Sequence, residues 1–413
     1  MKKSALRAIS WVALLTLIAK GLGMARDILQ ARAFGTTAEV DLFTAANNST
    51  IYLFTTAAYA LCLAAVPIFA QKLAKDREQA FRAADNLLSV SLLASFAVTA
   101  LTLLAGATGL LGQAVGASGH AFRWYVSVMA LTLPLIVLTY LLMALFQAMG
   151  HYSLQGSLSL LYNISLCVLL LAAGPRMSVA AFAAAASAAW VLQLAMTLPC
   201  LVRERYRFHF RLDLRAGYLP LYLRTAVVTA FTTAIFLFCY LMDTNMASPM
   251  GEGVTSAFYY ADKLFTPVIT TLIYSIGAVM FPQWSEKHAS MADGEYRAYV
   301  GGVVESTVLL LLPLSALFSV FGVPIIRVLF EGGSFTPESS ALTGMVFARY
   351  ALGMVGFALL DLLAKAYYAM QDTRAPLVVN LGVLGGNFIL NLVLLELFPS
   401  PGALAVGTAL AMT

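Results

Sequence analysis

Residues 299–330 read YVGGVVESTVLLLLPLSALFSVFGVPIIRVLF. No charged side chain falls between Glu305 and Arg327. An apolar run of about 20 residues, coiled as an α-helix, matches the ~30 Å hydrocarbon layer of a bilayer. The helix is forced, because no water is present there to satisfy backbone N–H and C=O groups. The pattern recurs outward from this stretch in both directions. Apolar segments bounded by charges, Pro and Gly lie at 9–34, 41–70, 84–114, 121–149, 155–174, 178–202, 218–242, 254–283, 338–370 and 375–398. A twelfth begins near Pro401 and, as GALAVGTALAMT, is too short to span. Segments longer than about 25 residues must tilt or project from the membrane.

Composition agrees. Of 413 residues, 61% are hydrophobic and 11% charged, against about 25% charged in an ordinary soluble domain. Too few charges remain to coat a water-exposed surface, which excludes a soluble enzyme, a disordered chain and a fibrous protein. The expected fold is an all-α polytopic membrane protein of about twelve transmembrane helices, the last incomplete. The net charge of +5 reads as membrane orientation rather than nucleic-acid binding. One set of alternate loops holds Lys2, Lys3, Arg7, Lys72, Lys75, Arg77, Arg82, Arg203, Arg205, Arg207, Arg211, Arg215, Lys287, Arg297 and Arg374. The opposite set holds Arg32, Arg123, Arg176 and Arg327. Basic residues stay on the cytoplasmic side, so the N-terminus is expected inside. Cys62, Cys167, Cys200 and Cys239 lie in apolar segments without a CxxC pair and read as packing residues.

A shift of 215 residues aligns 43–74 with 258–289 without gaps. Phe43, Ala46, Thr55, Thr56, Tyr59, Pro67, Lys72 and Ala74 match Phe258, Ala261, Thr270, Thr271, Tyr274, Pro282, Lys287 and Ala289. The shift spans six helices, an even number, so both copies cross in the same direction. A parallel repeat of this kind predicts two six-helix lobes, 1–212 and 213–413, around a cavity.

Ionisable groups inside such helices mark wet cavities or partners. Lys20 and Arg26 fall in the first helix and Lys263 in the eighth; Arg349 and Lys365 are also in apolar surroundings, and Arg224 lies near a helix start. Lys20, Arg26 and Lys263 together would suit a polyanion such as a diphosphate. The alternative is that Asp27 and Asp262 neutralise their sequence neighbours. Asp41 starts the second helix and can act as its cap. Asp243 ends the seventh helix, Asn387 and Asn391 lie one turn apart on the eleventh, and Thr408 is in the twelfth. Oxygen ligands of this kind suit a hard cation such as Na⁺, while hydrogen bonding between helices is the simpler use of the two amides. The Arg203–Arg215 run, RERYRFHFRLDLR, reads as a positive-inside loop with some attraction for anionic lipid heads. No Walker loop or HExxH is present, His120, His151, His209 and His288 are isolated in the sequence, and GLGMARD lacks the third glycine of a dinucleotide fingerprint. A transporter rather than an enzyme is expected.

Three stretches carry a resemblance. AKGLGMARDILQARAFGTTAEVDLF (19–43), FYYADKL with FPQWSEK (258–264 and 281–287), and LFEGGSFTPESSALTGMVFARYALGMVGFALLDLLAKAYYAMQDTRAP (329–376) resemble the MurJ/MviN lipid II flippases of the MOP exporter superfamily. The similarity runs along essentially the whole chain; the family usually has fourteen helices. It implies transport of lipid II, an undecaprenyl-diphosphate-linked peptidoglycan precursor, across the bacterial cytoplasmic membrane by alternating access. It also implies Lys20, Arg26 and Lys263 as basic residues of the cavity, with Asp27 and Asp41 at family acidic positions. Arg is common in the family where this chain has Lys20 and Lys263. By position, Asp243, Asn387, Asn391 and Thr408 match a sodium site, with Asn391 standing where the family has Asp, so Na⁺ or H⁺ coupling is implied. The expected partners are lipid II or a related polyprenyl-diphosphate glycan, membrane lipids and cell-wall synthesis proteins, with no nucleic acid. One departure stands out: the second helix has no charge between Asp41 and Lys72, where the family usually carries basic residues. That keeps open another polyprenyl-linked glycan as substrate and a non-transporting scaffold; a multidrug or cation antiporter of the same superfamily is a further alternative, against which the three cations argue.

Overall fold

The computed structural model describes residues 3–370, 372 and 374–413, with side chains described from Leu14 onward apart from scattered positions. Lys2, Gln371 and Thr373, and the side chains of Lys3, Arg7, Tyr274, Pro282 and Ala289, lie outside the described residues. The chain is helical throughout: α1 (Lys3–Phe34), α2 (Ala38–Asn47), α3 (Leu53–Leu73), α4 (Arg77–Ala107), α5 (Leu110–Ala114), α6 (His120–Ala130), α7 (Leu133–Ala148), α8 (Ser153–Ser157), α9 (Leu160–Ala173), α10 (Val179–Ala195), α11 (Leu198–Arg203), α12 (Leu219–Ala247), α13 (Val254–Ser290), α14 (Asp293–Phe330), α15 (Pro337–Leu352), α16 (Met354–Ala369), α17 (Arg374–Leu397) and α18 (Pro401–Ala411). Each apolar segment read from the sequence falls on one helix or on a pair. Among the described residues, seven helical runs are long and apolar enough to cross a membrane, or eight if the bent pair α15–α16 is one span. The protein is therefore a polytopic membrane protein.

The breaks inside pairs have local causes. A π-helical turn, Asn48–Tyr52, separates α2 from α3. Pro134 and Pro199 sit in the first turns of α7 and α11, where a missing N–H costs no hydrogen bond. Between α15 and α16 the axis bends by 46° at Gly353, where a Cβ would come within 2.7 Å of the Ala409 backbone in α18. In α14 the backbone leaves helical geometry at Phe321 (φ −100°, ψ 16°), just before Pro324, whose ring cannot tolerate an unbroken preceding turn. Starts are set by side-chain caps: Asp76, Ser178 and Thr336 accept from the N–H groups of Gln79, Ala181 and Ser339.

The chain forms two compact units. The first holds residues up to Phe34 and Leu42–Ala234; the second holds Gly35–Asp41 and Ile235–Thr413. The change of unit thus falls inside α12, beyond the 212/213 boundary read from the repeat. A physical reason is visible: Tyr222, in the second turn of α12, is fully buried and its hydroxyl lies 3.1 Å from Ser91 Oγ of α4. In the first unit Phe34, Phe43, Phe182 and Tyr125 pack ring to ring. The buried Ala58, Ala60, Ala64 and Ala65 of α3 let neighbouring helices approach closely, which matters where lipid removes the hydrophobic drive. In the second unit Tyr260, Phe330 and Phe335 form a three-ring cluster. The repeat positions Phe43 and Phe258, and Ala46 and Ala261, are all buried. Large exposed apolar groups such as Leu101, Leu104, Val320 and Val328 would be a liability in water and face lipid in a bilayer.

Candidate functional site

In the second unit, four helices converge on one carboxylate. Asp243 of α12 is fully buried. Its Oδ1 accepts from Asn391 Nδ2 of α17 at 2.7 Å. Its Oδ2 accepts from the Thr408 hydroxyl of α18 at 2.5 Å and from the Tyr350 hydroxyl of α15 at 2.9 Å. Asn387 Nδ2 donates to Thr408 Oγ1 at 2.6 Å. The one-turn spacing puts Asn387 and Asn391 on the same face of α17, and α18 comes in close there because residue 407 is glycine: a Cβ would fall on Asn391 Oδ1. All four residues expected from the sequence are brought together. Tyr350 is an addition; it is held by Phe258 and Phe265 of α13, with ring centroids 5.9 Å away.

This cluster has an acceptor surplus. The Oδ1 atoms of Asn387 and Asn391 are buried and make no hydrogen bond. A buried polar atom left unmade costs about 1–3 kcal/mol, and here two lie beside an acidic group. The set offers a carboxylate, two hydroxyls and two amide carbonyls, all oxygen. That donor chemistry fits a hard cation, and a single carboxylate fits a monovalent one. Among the described residues no group of three or more His, Cys, Asp or Glu is placed for a metal.

In the first unit, Arg26 of α1 is closely engaged. Its Nη2 and Nε reach Asp27 Oδ1 at 2.7 and 3.2 Å. Nη1 donates to Asn163 Oδ1 of α9 at 3.0 Å, and the guanidinium lies 5.5 Å from the Tyr162 ring centroid. Asn163 is anchored in turn through Nδ2 to the Ala19 carbonyl at 3.3 Å. Asp27 thus neutralises its sequence neighbour, one of the two readings of the sequence. Lys20, one and a half turns earlier on α1, is exposed.

In the second unit, Lys263 Nζ sits 3.9 Å from Asp262 Oδ2 and 5.0 Å from the Tyr259 ring centroid. Asp262 also accepts from Thr266 at 2.6 Å. Asp41 does not cap its own helix. It accepts from Gly253 N and Ser256 N at 2.6 and 2.7 Å and from the Ser256 hydroxyl, so it caps α13, the helix of Lys263. Gly253 (φ +81°) allows this, since a Cβ there would come within 2.5 Å of the Thr36 carbonyl. Lys365 pairs with Asp361 one turn away on α16. Asn163, Tyr162, Tyr259 and Tyr350 were not among the residues expected from the sequence. Only their polar groups on helices otherwise apolar could have flagged them.

Outside the helices, Glu204 gathers two partners in the first unit. It accepts from His151 Nε2 at 2.6 Å and Arg77 Nη2 at 2.8 Å. The His151 hydrogen bond, helped by Arg77, holds its carboxyl below the ordinary glutamate value. His151, isolated in the sequence, is therefore part of a polar hub.

The whole fold has known counterparts. A solved structure of lipid II flippase MurJ in an inward closed conformation matches with a TM-score of 0.83 at 17% identity, covering 97% of this chain and 84% of that one. An inward-facing multidrug resistance MATE family transporter of the MOP superfamily matches with a TM-score of 0.77 at 13% identity, covering 97% and 94%. The architecture is shared with both of these helical structures. Within it the assignment narrows: residues 30–413 match the family model described as lipid II flippase MurJ, and the chain belongs to that family. The lipid II flippase MurJ of Burkholderia cenocepacia is 28% identical over 415 residues, 97% of this chain and 80% of the relative. The probable lipid II flippase MurJ of Vibrio cholerae is 24% identical over 420 residues, 97% and 79%.

Proposed function

We propose that the chain is a transporter that moves lipid II from the inner to the outer face of the bacterial cytoplasmic membrane, with its N-terminus in the cytoplasm. The observation that carries this reading is the family match over residues 30–413. In this reading the two lobes alternate between inward- and outward-open states. Lys20, Arg26 and Lys263 hold the diphosphate, and Asp27 and Asp41 keep Arg26 and the α13 start in place. Arg26, hydrogen-bonded to Asp27 and Asn163 and backed by the Tyr162 ring, and Lys263, paired with Asp262 and backed by the Tyr259 ring, are pre-oriented for phosphate, which lowers the ordering cost of binding.

The oxygen cluster at Asp243 is the proposed coupling site. Asp243, Asn387, Asn391 and Thr408, with Tyr350, would hold Na⁺; a proton on Asp243 is the other coupling species the same carboxylate supports. A bound cation supplies a charge that the membrane potential and its own gradient can drive. The chain's residues select it by size and by the single carboxylate, and they keep water out. The absence of charge between Asp41 and Lys72 favours, as a second reading, a different polyprenyl-diphosphate glycan.

The test is complementation. The resident lipid II flippase of a bacterium is depleted while this chain, or its Lys20→Ala, Arg26→Ala or Lys263→Ala variant, is expressed at matched membrane levels. Rescue by the unmodified chain and failure of the variants is expected. Failure of a well-expressed unmodified chain moves the second reading, or a non-transporting scaffold role, ahead. Rescue by all three variants removes the diphosphate assignment and leaves the function standing.

A further inference from the structure

Between α11 and α12 the segment 206–215 lies along α4 of the first unit. Its backbone donates at every second residue: His209 N to Asp85 Oδ1 at 3.1 Å, Arg211 N to Ser89 Oγ at 2.9 Å and Asp213 N to Asn86 Oδ1 at 2.7 Å. Asn86 Nδ2 returns a bond to the Asp213 carbonyl at 3.1 Å. Both ends are fastened. Tyr206 is buried and donates to Asp85 Oδ1 at 2.6 Å, and Tyr218 accepts from Asn86 at 3.1 Å and carries Lys72 over its ring.

A donor at every second residue is the period of extended backbone, and in extended backbone side chains alternate between two faces. The sequence fits that alternation. Positions 207, 209 and 211 are Arg, His and Arg, with Asp213 ending that row, and positions 208, 210 and 212 are Phe, Phe and Leu; Leu214 and Arg215 follow in the turn that Asp213 closes. Phe208, Phe210, Leu212 and Leu214 are 43%, 66%, 48% and 65% exposed. The strap therefore has a largely basic face and an apolar face, and the second is exposed among the described residues.

Its level along α4 is also fixed. The first turns of α4 carry Arg77, Glu78, Arg82 and Asp85, and no charge follows from Leu87 to Ala107. The strap is bonded at Asp85, Asn86 and Ser89, at the change from charged to apolar helix. That change is where hydrocarbon gives way to headgroups. A ribbon held there with aromatics on one side and arginines on the other matches both layers at once.

We propose that 206–215 is an interfacial strap that inserts Phe208, Phe210, Leu212 and Leu214 among the acyl-chain ends and binds anionic phospholipid headgroups through Arg207, Arg211 and Arg215. The bilayer is the occupant, because the basic face complements anionic lipid and the bonded positions lie at the membrane boundary.

The test uses the full chain, purified and reconstituted in vesicles of phosphatidylcholine alone or with phosphatidylglycerol. A Phe210→Trp variant is read by quenching from brominated acyl chains and from aqueous iodide, with the signal of the four native tryptophans subtracted. Bromolipid quenching that deepens with phosphatidylglycerol is expected. Adding Arg207→Gln, Arg211→Gln and Arg215→Gln should remove that dependence, and each neutralised arginine should lower apparent affinity for anionic lipid about fivefold. An indole open to iodide and untouched by bromolipid in both vesicles overturns the proposal and leaves the strap as a surface for a soluble protein. Quenching equal in both lipids overturns headgroup binding. Because the readout is not transport, either result is independent of whether the chain flips lipid II.

Discussion

Two buried acidic groups in this molecule are handled in opposite ways. Asp27 in the first unit has its charge answered inside the protein, by a guanidinium at 2.7 Å that is itself tied to Asn163 and Tyr162. Asp243 in the second unit is answered by neutral donors: a hydroxyl from Thr408, an amide from Asn391 and a second hydroxyl from Tyr350. Beside it two amide oxygens remain unused. A buried charge answered by a fixed counter-charge is a positioning device. One answered by rotatable hydroxyls and flanked by idle acceptors is suited to a mobile counter-charge. The contrast separates the groups proposed to hold the substrate's diphosphate from those proposed to hold an exchangeable cation.

The strongest break in this comparison is Asp243→Ala beside Asp27→Ala. Removing the Asp243 carboxylate leaves three donors from three helices without an acceptor, at a cost of about 3 kcal/mol or more. Thermal unfolding of the purified protein should show a lowered midpoint and no response to Na⁺, and the variant should fail to complement. Asp27→Ala should keep the Na⁺ response while losing lipid II binding. A Na⁺ response that survives Asp243→Ala would remove the distinction.

Asn391→Asp sharpens it. The amide donating to Asp243 Oδ1 at 2.7 Å becomes a second carboxylate, and two such groups at about 3 Å cannot both stay ionised without a cation. In Na⁺-free buffer the melting midpoint should fall by about 3 °C or more, and saturating Na⁺ should restore it. An unchanged midpoint in both buffers would show that position 391 does not face the ion.

How much of this was legible in the sequence depends on the range of the interaction. Helix segments were legible because charge, Pro and Gly punctuate them locally, and so was the Asp243 cluster, because acidic and amide groups in apolar helices are conspicuous. The role of Asp41 was half legible. Its capping chemistry could be read, but its target is the N-terminus of α13, more than two hundred residues away. Tyr350 was hidden because a tyrosine in a membrane helix ordinarily reads as packing. Asn163 was hidden because its partners, Arg26 and the Ala19 carbonyl, are set by the packing of α9 on α1. The two faces of the strap could be spelled out from alternation, but that it is pinned at Asp85, Asn86 and Ser89 required the fold.

Asn163→Ala tests the fixed-charge side more gently. It removes one charge-assisted bond from Arg26, about 1.5–3 kcal/mol, and leaves Asp27 in place. Lipid II binding should weaken while the Na⁺ response of the melting midpoint stays unchanged. A shift in that response would mean that the two sites are not separable.

The smallest effect belongs to a third way of answering charge, at the membrane surface. Glu204 has its carboxyl held below the ordinary value by His151 and then Arg77. A carboxyl with a lowered folded-state pKa contributes stability that is complete above its unfolded value. That contribution is lost as pH falls through the folded value, below about 4.5. Glu204→Gln should therefore remove a small part of the acid-side decline of the melting midpoint and leave the profile above that pH unchanged in shape. An acid-side decline identical to that of the unmodified chain would mean that Glu204 does not govern this part of the profile. Its partial exposure keeps the effect small, which is why the Asp243 cluster and this hub, both built from hydrogen bonds to one carboxylate, should differ so widely in the cost of losing it.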